Sequence, residues 1–144
     1  MIVVATEEEK KLAEERYGQD NIIVTGVGGL NVIRKLQYYN RETPILNFGY
    51  AGSNSIPIGT VVSVGDCRLY HPNVEYREPV YKLGGDVPCY TSSDFVLHTD
   101  IEDPVVFDME LAYILAFGFQ NVKSIKIISD NLSLKQYEEE KKNV

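Results

Sequence analysis

FDMELAYILAFGFQNVKSIKIISD, residues 107–130, is the stretch that decides the fold. It opens with two acids, Asp108 and Glu110, continues as an apolar run to Gly118, and ends in a β-rich segment that finishes at Asp130. This pattern predicts a helix that Asp108 caps and Gly118 ends, followed by a strand buried on both faces. Because open α/β sheets bind their ligands at the carboxyl ends of the strands, we expect the three acids to meet at one cleft.

The chain before this stretch alternates short strands with helices. Strands are predicted at 2–5, 21–25 and 45–48, with helices at 7–17 and about 30–40 between them. Such an alternation is typical of a parallel sheet with crossover helices. We therefore expect a single compact α/β domain over residues 1–144, with a mostly parallel twisted central sheet flanked by helices.

The remaining segments are less regular. Residues 60–65, 68–70 and 88–91 are predicted to be strands, whereas 71–86, rich in Pro, Gly and charge, and 92–96 are predicted to be loops. The final residues, LSLKQYEEEKKNV, predict a terminal helix with few apolar anchors.

Composition excludes several classes of function. The 144 residues are 44% apolar and 24% charged, which suits one soluble domain. A formal net charge of −7 argues against a nucleic-acid partner. The N-terminal apolar run is only four residues long before acids follow, so we expect no signal peptide, no membrane span and a cytoplasmic protein. Two cysteines without metal-site spacing and two histidines predict no metal site.

Three short motifs each allow a structural and a functional interpretation. Thr6 and Glu9 form a capping-box pattern, but Glu9 also follows a strand, where a carboxylate can activate water. The turn at 26–29, GVGG, is a tight strand-to-helix connection or a phosphate cradle, and it lacks the third glycine and the lysine of the nucleotide-binding motifs. Residues 49–52, GYAG, form either a turn or a place where a ligand approaches the backbone closely.

Taken together, these segments resemble the purine nucleoside phosphorylase and nucleosidase superfamily, and within it the 5′-methylthioadenosine/S-adenosylhomocysteine nucleosidases. The segments that carry the resemblance are ATEEEK, TGVGG, ILNFGYAGSNSIPIGTVVSVGD, SSDFV, FDMELA and ISD, in the order found in that family. FDMELA and ISD are the most specific. The chain resembles a shortened member, with an abbreviated region between residues 65 and 90.

The resemblance implies two catalytic carboxylates. Glu9 would position and activate the hydrolytic water, and Asp130 would protonate the purine ring as the glycosidic bond breaks. Such a division of labour is chemically coherent, because an oxocarbenium-like state needs a protonated leaving group on one side and a nucleophile on the other. Asp130 must then hold its proton near neutral pH, which requires a raised pKa.

The resemblance also implies six substrate-binding residues and no metal or organic cofactor. Glu110 would hold the ribose hydroxyls and Met109 would pack against the sugar. The others are Phe95, stacking on the base, Val96, whose backbone would read the base edge, and Ala51 and Gly52, bordering base and sugar. The ligand expected is a small-molecule nucleoside, and the family's assembly implies a homo-oligomer, most simply a dimer.

Two residues depart from the phosphorylases of that superfamily. Asn47 stands where they have an arginine, and Tyr50 where they have a phosphate-binding serine, so hydrolysis is favoured over phosphorolysis. A phosphate-dependent phosphorylase remains the second interpretation. The third is a non-catalytic nucleoside-binding homologue, which would be favoured if Tyr50 fills the pocket or Glu9 points away from Asp130.

Overall fold

The computed structural model describes residues 1–18, 20–71 and 79–142. These residues form eight strands and four helices. In chain order they are β1 (Ile2–Val4), α1 (Glu7–Tyr17), β2 (Ile22–Val24), α2 (Gly29–Leu36), β3 (Ile45–Ser53), β4 (Val61–Leu69), β5 (Tyr81–Lys82), β6 (Val87–Thr91), β7 (Val106–Asp108), α3 (Leu111–Ala116), β8 (Val122–Asp130) and α4 (Leu134–Lys142).

The described strands join in one mixed sheet that closes partly on itself. The order is β2-β1-β3-β7-β6-β4-β5, and β8 pairs with both β3 and β4, so that five strands form a ring. Pairings of β3 with β7, β4 with β5 and β4 with β8 are antiparallel, and the others are parallel. The α/β class with flanking helices is confirmed. The expectation of a mostly parallel sheet misses both the antiparallel pairings and the closure.

The two longest parallel neighbours, β3 and β8, position the site. Their ladder runs from Ile45 opposite Val122 to Gly52 opposite Asp130, with a bulge between Ala51 and Gly52. Residues 49–52 therefore continue the strand and do not form a turn, which corrects one of the two interpretations of that motif. Asp130 ends β8 as predicted.

Helices cover the two faces of the sheet. On one face α1 packs Ala13 against Val4 and Phe48. On the other, α2 and α3 contribute Val32, Leu36 and Ile114 to a cluster with Val3 and Ile45. Both clusters are fully buried, and each large side chain in them stabilises the fold by about 1.5–3 kcal/mol relative to exposure.

Some boundaries differ from the sequence-based expectation. The strands predicted at 60–65 and 68–70 are one strand, β4 (Val61–Leu69), which stays continuous through Gly65 and Asp66. Within the predicted loop 71–86, Tyr81–Lys82 pairs with β4, and 72–78 lie outside the described residues. The second helix ends at Leu36, four residues before the predicted end, and the Arg41 guanidinium donates to the Gln37 carbonyl just beyond it.

Candidate active site

A cavity of about 270 Å³ opens at the carboxyl ends of β3 and β8, between α1, α4 and the corner that joins β7 to α3. Seven of the residues predicted for the site line it: Glu9, Ala51, Gly52, Phe95, Met109, Glu110 and Asp130. Val96 lines a small adjoining cavity of about 30 Å³ together with Phe95 and Asp130. The fold thus brings together residues that are up to 121 positions apart in the chain.

Glu9 caps the first turn of α1 and also faces the cavity. Its Oε1 accepts a hydrogen bond from the Ala5 N–H at 2.8 Å, and the capping box with Thr6 is complete. Its Oε2 accepts another from the Tyr50 N–H at 2.8 Å, across the sheet on β3. Burial raises the pKa of Glu9, and the charge of Lys126 and the backbone donors oppose that rise. The structural and the functional interpretation of Glu9 are therefore compatible.

Asp130 is 1% exposed and is held by two donors. The Ser129 hydroxyl donates to Oδ1 at 2.7 Å, and the Leu132 N–H donates to Oδ2 at 3.0 Å. Leu132 itself has φ +64°, an uncommon conformation for a leucine, in the turn that follows β8. Burial raises the pKa of Asp130, and these hydrogen bonds oppose the rise.

Two glycines of β3 make room for these carboxylates. A Cβ on Gly49 would lie 2.5 Å from Glu9 Oε2, and one on Gly52 would lie 2.8 Å from Asp130 Oδ2. Both distances are too short for any side chain to be accommodated without movement. The motif GYAG therefore allows other groups to approach the backbone closely, and those groups are the carboxyl groups of Glu9 and Asp130.

Glu110 lies where β7 turns into α3 and reaches across to the glycine turn before α2. Its Oε2 accepts a hydrogen bond from the Gly28 N–H at 2.8 Å. The Gly28 N–H, which the sequence analysis considered as a phosphate donor, is therefore already bonded to a carboxylate of the chain itself. Burial first, and the nearby Asp108 charge second, raise the pKa of Glu110 to about 8.

Asp108 is buried in the cavity wall, at the end of a strand that sequence patterns did not indicate. The N-cap of α3 is Glu110 and not Asp108 as predicted, although the Asp108 side chain does bond the first N–H of the helix. The Oδ2 of Asp108 accepts the Leu111 N–H at 2.7 Å and lies 3.3 Å from Lys126 Nζ. Its Oδ1 accepts the Thr91 hydroxyl. Lys126 was missed as a site residue, yet the signal was present: a strand predicted to be buried on both faces must bury its central lysine against an anion.

The aromatic side of the cavity centres on Tyr137 of α4. Sequence patterns did not predict this tyrosine as a site residue. Its ring lies edge-on to Tyr50 at 6.3 Å between centroids and 5.6 Å from Phe95. Tyr50 thus packs against α4 and leaves the cavity open. Burial and nearby glutamates raise the pKa of both tyrosines to about 12, so their hydroxyls keep their protons at neutral pH.

The charge of the cavity lining is strongly acidic. Four carboxylates line it, those of Glu9, Asp108, Glu110 and Asp130, and Lys141 is the only basic residue among the lining residues described. Asn47 lies below, where its Oδ1 accepts the Ser124 hydroxyl at 2.8 Å. No group of three or more potential metal ligands occurs among residues 1–18, 20–71 and 79–142.

Solved structures share this fold. A variant of the MTAN from Chlamydia trachomatis, bound to MTA, aligns with TM-score 0.75 and 13% identity over 97% of this chain and 87% of its own. The futalosine hydrolase of Helicobacter pylori aligns with TM-score 0.74 and 14% identity over 99% and 90%. The 5′-methylthioadenosine/S-adenosylhomocysteine nucleosidase of Colwellia psychrerythraea, in complex with adenine, aligns with 0.74 and 16% over 97% and 87%.

The chain therefore has the fold of the nucleosidases in the nucleoside phosphorylase and nucleosidase superfamily, which confirms the resemblance at the level of the fold. No protein-family model and no curated protein sequence matches it.

Proposed function

We propose that the protein is a purine nucleosidase, which hydrolyses the N-glycosidic bond of a methylthioadenosine- or S-adenosylhomocysteine-like nucleoside to free base and sugar. One observation carries the proposal: Glu9 and Asp130 line the same cavity, and each fits into the space left by a glycine. Two carboxylates with separate surroundings are what hydrolysis through an oxocarbenium-like state requires.

Asp130 acts as the general acid. Burial raises its pKa and so favours the protonated form that donates to the purine ring. Phe95 and Val96 lie beside it in the adjoining small cavity, where they would hold the base. The proton passes from the carboxyl group to the base nitrogen, and the electron pair of the breaking C–N bond leaves with the base.

Glu9 takes a proton from the attacking water while that water forms the new bond to the sugar. Its two oxygens are fixed by the backbone N–H groups of Ala5, just after β1, and of Tyr50 on β3, so its direction is set before substrate arrives. Glu110 binds the ribose hydroxyls, with Met109 against the sugar.

Hydrolysis is favoured over phosphorolysis by the charge around the cavity. A phosphate dianion needs a clamp of cationic or amide donors. Among the described lining residues Lys141 is the only cation, and it lies 4.0 Å from Glu8. The Gly28 amide is already bonded to Glu110. A non-catalytic homologue would be favoured if Tyr50 filled the pocket or Glu9 pointed away from Asp130. Instead, Tyr50 leaves the cavity open, and Glu9 faces the cavity that Asp130 lines.

Ligands in the solved relatives agree with a nucleoside substrate: MTA in the Chlamydia trachomatis structure and adenine in that of Colwellia psychrerythraea. The decisive experiment measures release of free base from methylthioadenosine, S-adenosylhomocysteine, adenosine and inosine, with and without phosphate. We expect release without phosphate. Release that requires phosphate would identify a phosphorylase, and tight nucleoside binding without any release would identify a binding protein.

Variants assign the roles. Asp130→Asn should abolish base release and keep the fold, since an amide can still bond Ser129 and Leu132 but delivers no proton. Glu9→Gln should remove hydrolysis but retain ligand binding. Glu7→Gln, in the same helical turn but exposed, is the matched control and should be fully active. Turnover at the wild-type rate in either of the first two variants would exclude that residue from its role.

We also propose a cytoplasmic homodimer. Leu30 of α2 is 84% exposed, and Val27 and Ile33 beside it are 46% and 42% exposed, which forms an apolar strip next to the cavity. Cys67 and Cys89 are free thiols, as suits a reducing compartment. Light scattering should give twice the monomer mass, and Leu30→Glu should halve it. A monomeric wild type would contradict the dimer.

A further inference from the structure

Lys126 is the most deeply buried charge of the described chain that the proposed reaction leaves without a task. Its side chain is 2% exposed, and its Nζ lies 3.3 Å from Oδ2 of Asp108, which is equally buried. Burying a lysine is costly unless anions surround it. Burial lowers the pKa of Lys126, but the surrounding anions, Asp108 first, more than offset this and raise it. Lys126 is therefore charged at every working pH.

The sheet register brings this charge to Glu9. Lys126 on β8 stands opposite Gly49 on β3, and paired residues of neighbouring strands face the same side of a sheet. The space over Gly49, where a Cβ would be, is filled by the carboxyl group of Glu9. Lys126 thus lies on the same side and at the same level of the sheet as the proposed water-activating group.

Through Asp108, Lys126 also stabilises the turn between β7 and α3, from which the Glu110 side chain extends. Asp108, its ion-pair partner, bonds the N–H groups of Glu110 and Leu111 at 3.3 and 2.7 Å. These bonds set where α3 begins and so where the Glu110 side chain leaves the backbone. The groups that face Lys126 are Asp108 of β7, Cys89 of β6, Glu110 before α3 and Glu9 of α1.

We propose that Lys126 is a positioning residue of the active site. Its fixed charge favours the anionic form of Glu9, which accepts a proton from water, and through Asp108 it fixes the turn from which Glu110 enters the cavity. A lysine that served only to neutralise Asp108 would leave Glu9 unaffected. The two possibilities differ in the protonation of Glu9, because the Lys126 charge, opposite Gly49 and on the side of the sheet that Glu9 occupies, opposes the rise that burial causes in the pKa of Glu9.

The test removes the pair without leaving a lone buried charge. A Lys126→Met and Asp108→Asn double variant keeps hydrogen-bonding capacity at position 108 and should fold, as checked by circular dichroism and thermal unfolding. Lys126→Arg keeps the charge. Lys123→Met, on the same strand but exposed, is the matched control. Carbon-13 NMR of glutamate-labelled protein, assigned with Glu9→Gln and Glu110→Gln, then gives the titration midpoint of Glu9 without any substrate.

We expect the Glu9 midpoint to move upward in the double variant and to stay unchanged in Lys126→Arg and Lys123→Met. The acidic limb of the kcat/KM profile for base release should move in parallel. An unmoved Glu9 midpoint in the double variant, or an upward shift in Lys126→Arg, would overturn the proposal. If the double variant does not fold, a Lys126→Gln and Asp108→Asn double variant, which keeps hydrogen-bonding capacity at both positions, replaces it with the same expected and contradicting outcomes. This inference rests on the proposed function for its catalytic meaning, but the NMR titration remains decisive even if the wild type releases no base.

Discussion

At the scale of the residue, Gly49 and Gly52 matter as much as the acids, because their lack of a side chain leaves room for the carboxyl groups of Glu9 and Asp130. Gly52→Ala should displace Asp130, because the new Cβ would lie 2.8 Å from its Oδ2. A shift of about 1 Å in a catalytic group costs up to about 100-fold in rate, so base release should fall by at least about tenfold. Stability should change little, since the bulge beside Gly52 can absorb the strain. Steady-state kinetics and chemical denaturation measure the two effects separately.

Gly49→Ala should lower stability as well as activity. Its Cβ would displace the Glu9 carboxyl group, which also accepts backbone bonds from Ala5 and Tyr50. Leaving such buried donors unpaired costs about 1–3 kcal/mol each. We therefore expect both activity and the free energy of unfolding to fall, and a variant as stable as the wild type would show that those bonds contribute little.

The candidate acids were predictable because each follows a recognisable strand or begins a helix. The buried strand indicated that Lys126 needs an anion, but it did not indicate which one, because Asp108 lies on β7, a strand of three residues that carries almost no periodic signal. The role of Lys126 depends on which strands are neighbours, and local patterns do not contain that information.

At the scale of the element, α4 is the part least secured by a core. None of its described side chains is buried, and it is attached through the contacts of Tyr137 with Tyr50 and Phe95 and by the ion pair between Lys141 and Glu8. The sequence predicted the helix from its charge pattern. It did not predict that one tyrosine would place the helix over the cavity.

Tyr137→Ala should therefore weaken substrate binding more than it weakens the fold. We expect KM to rise about tenfold or more, with a loss of at most about 1 kcal/mol in stability, since the aromatic pairs are partly exposed. Lys135→Ala, an exposed position of the same helix, is the control. A large drop in melting temperature without a change in KM would show that Tyr137 is a packing residue only.

At the scale of the whole molecule, the buried acids make stability depend on pH. Burial raises the pKa values of Glu9, Glu110 and Asp130, that of Glu110 to about 8. The folded protein then binds more protons than the unfolded chain between about pH 4.5 and 8, so the free energy of unfolding should fall as pH rises through that window. Glu110→Gln should flatten the slope, as denaturation at several pH values would reveal. A slope that is unchanged would mean that Glu110 is ionised in both states.

The alternation of strands and helices predicted the class of fold and the parallel strands β1, β2 and β3, but not their order in the sheet. The ring could not be predicted in the same way, because it needs β8 to meet β4 about 60 residues away, and nothing local to either strand specifies that neighbour.

Closure of the five-stranded ring limits how copies of the protein can associate. Among the described residues, the strands at the two ends of the sheet order are β2, with three residues, and β5, with two. Edges this short provide little template for hydrogen bonding to another chain, which is how many proteins avoid edge-to-edge aggregation. Self-association of this protein should therefore occur through side-chain surfaces such as α2, and a concentrated sample should form discrete dimers and not fibrils.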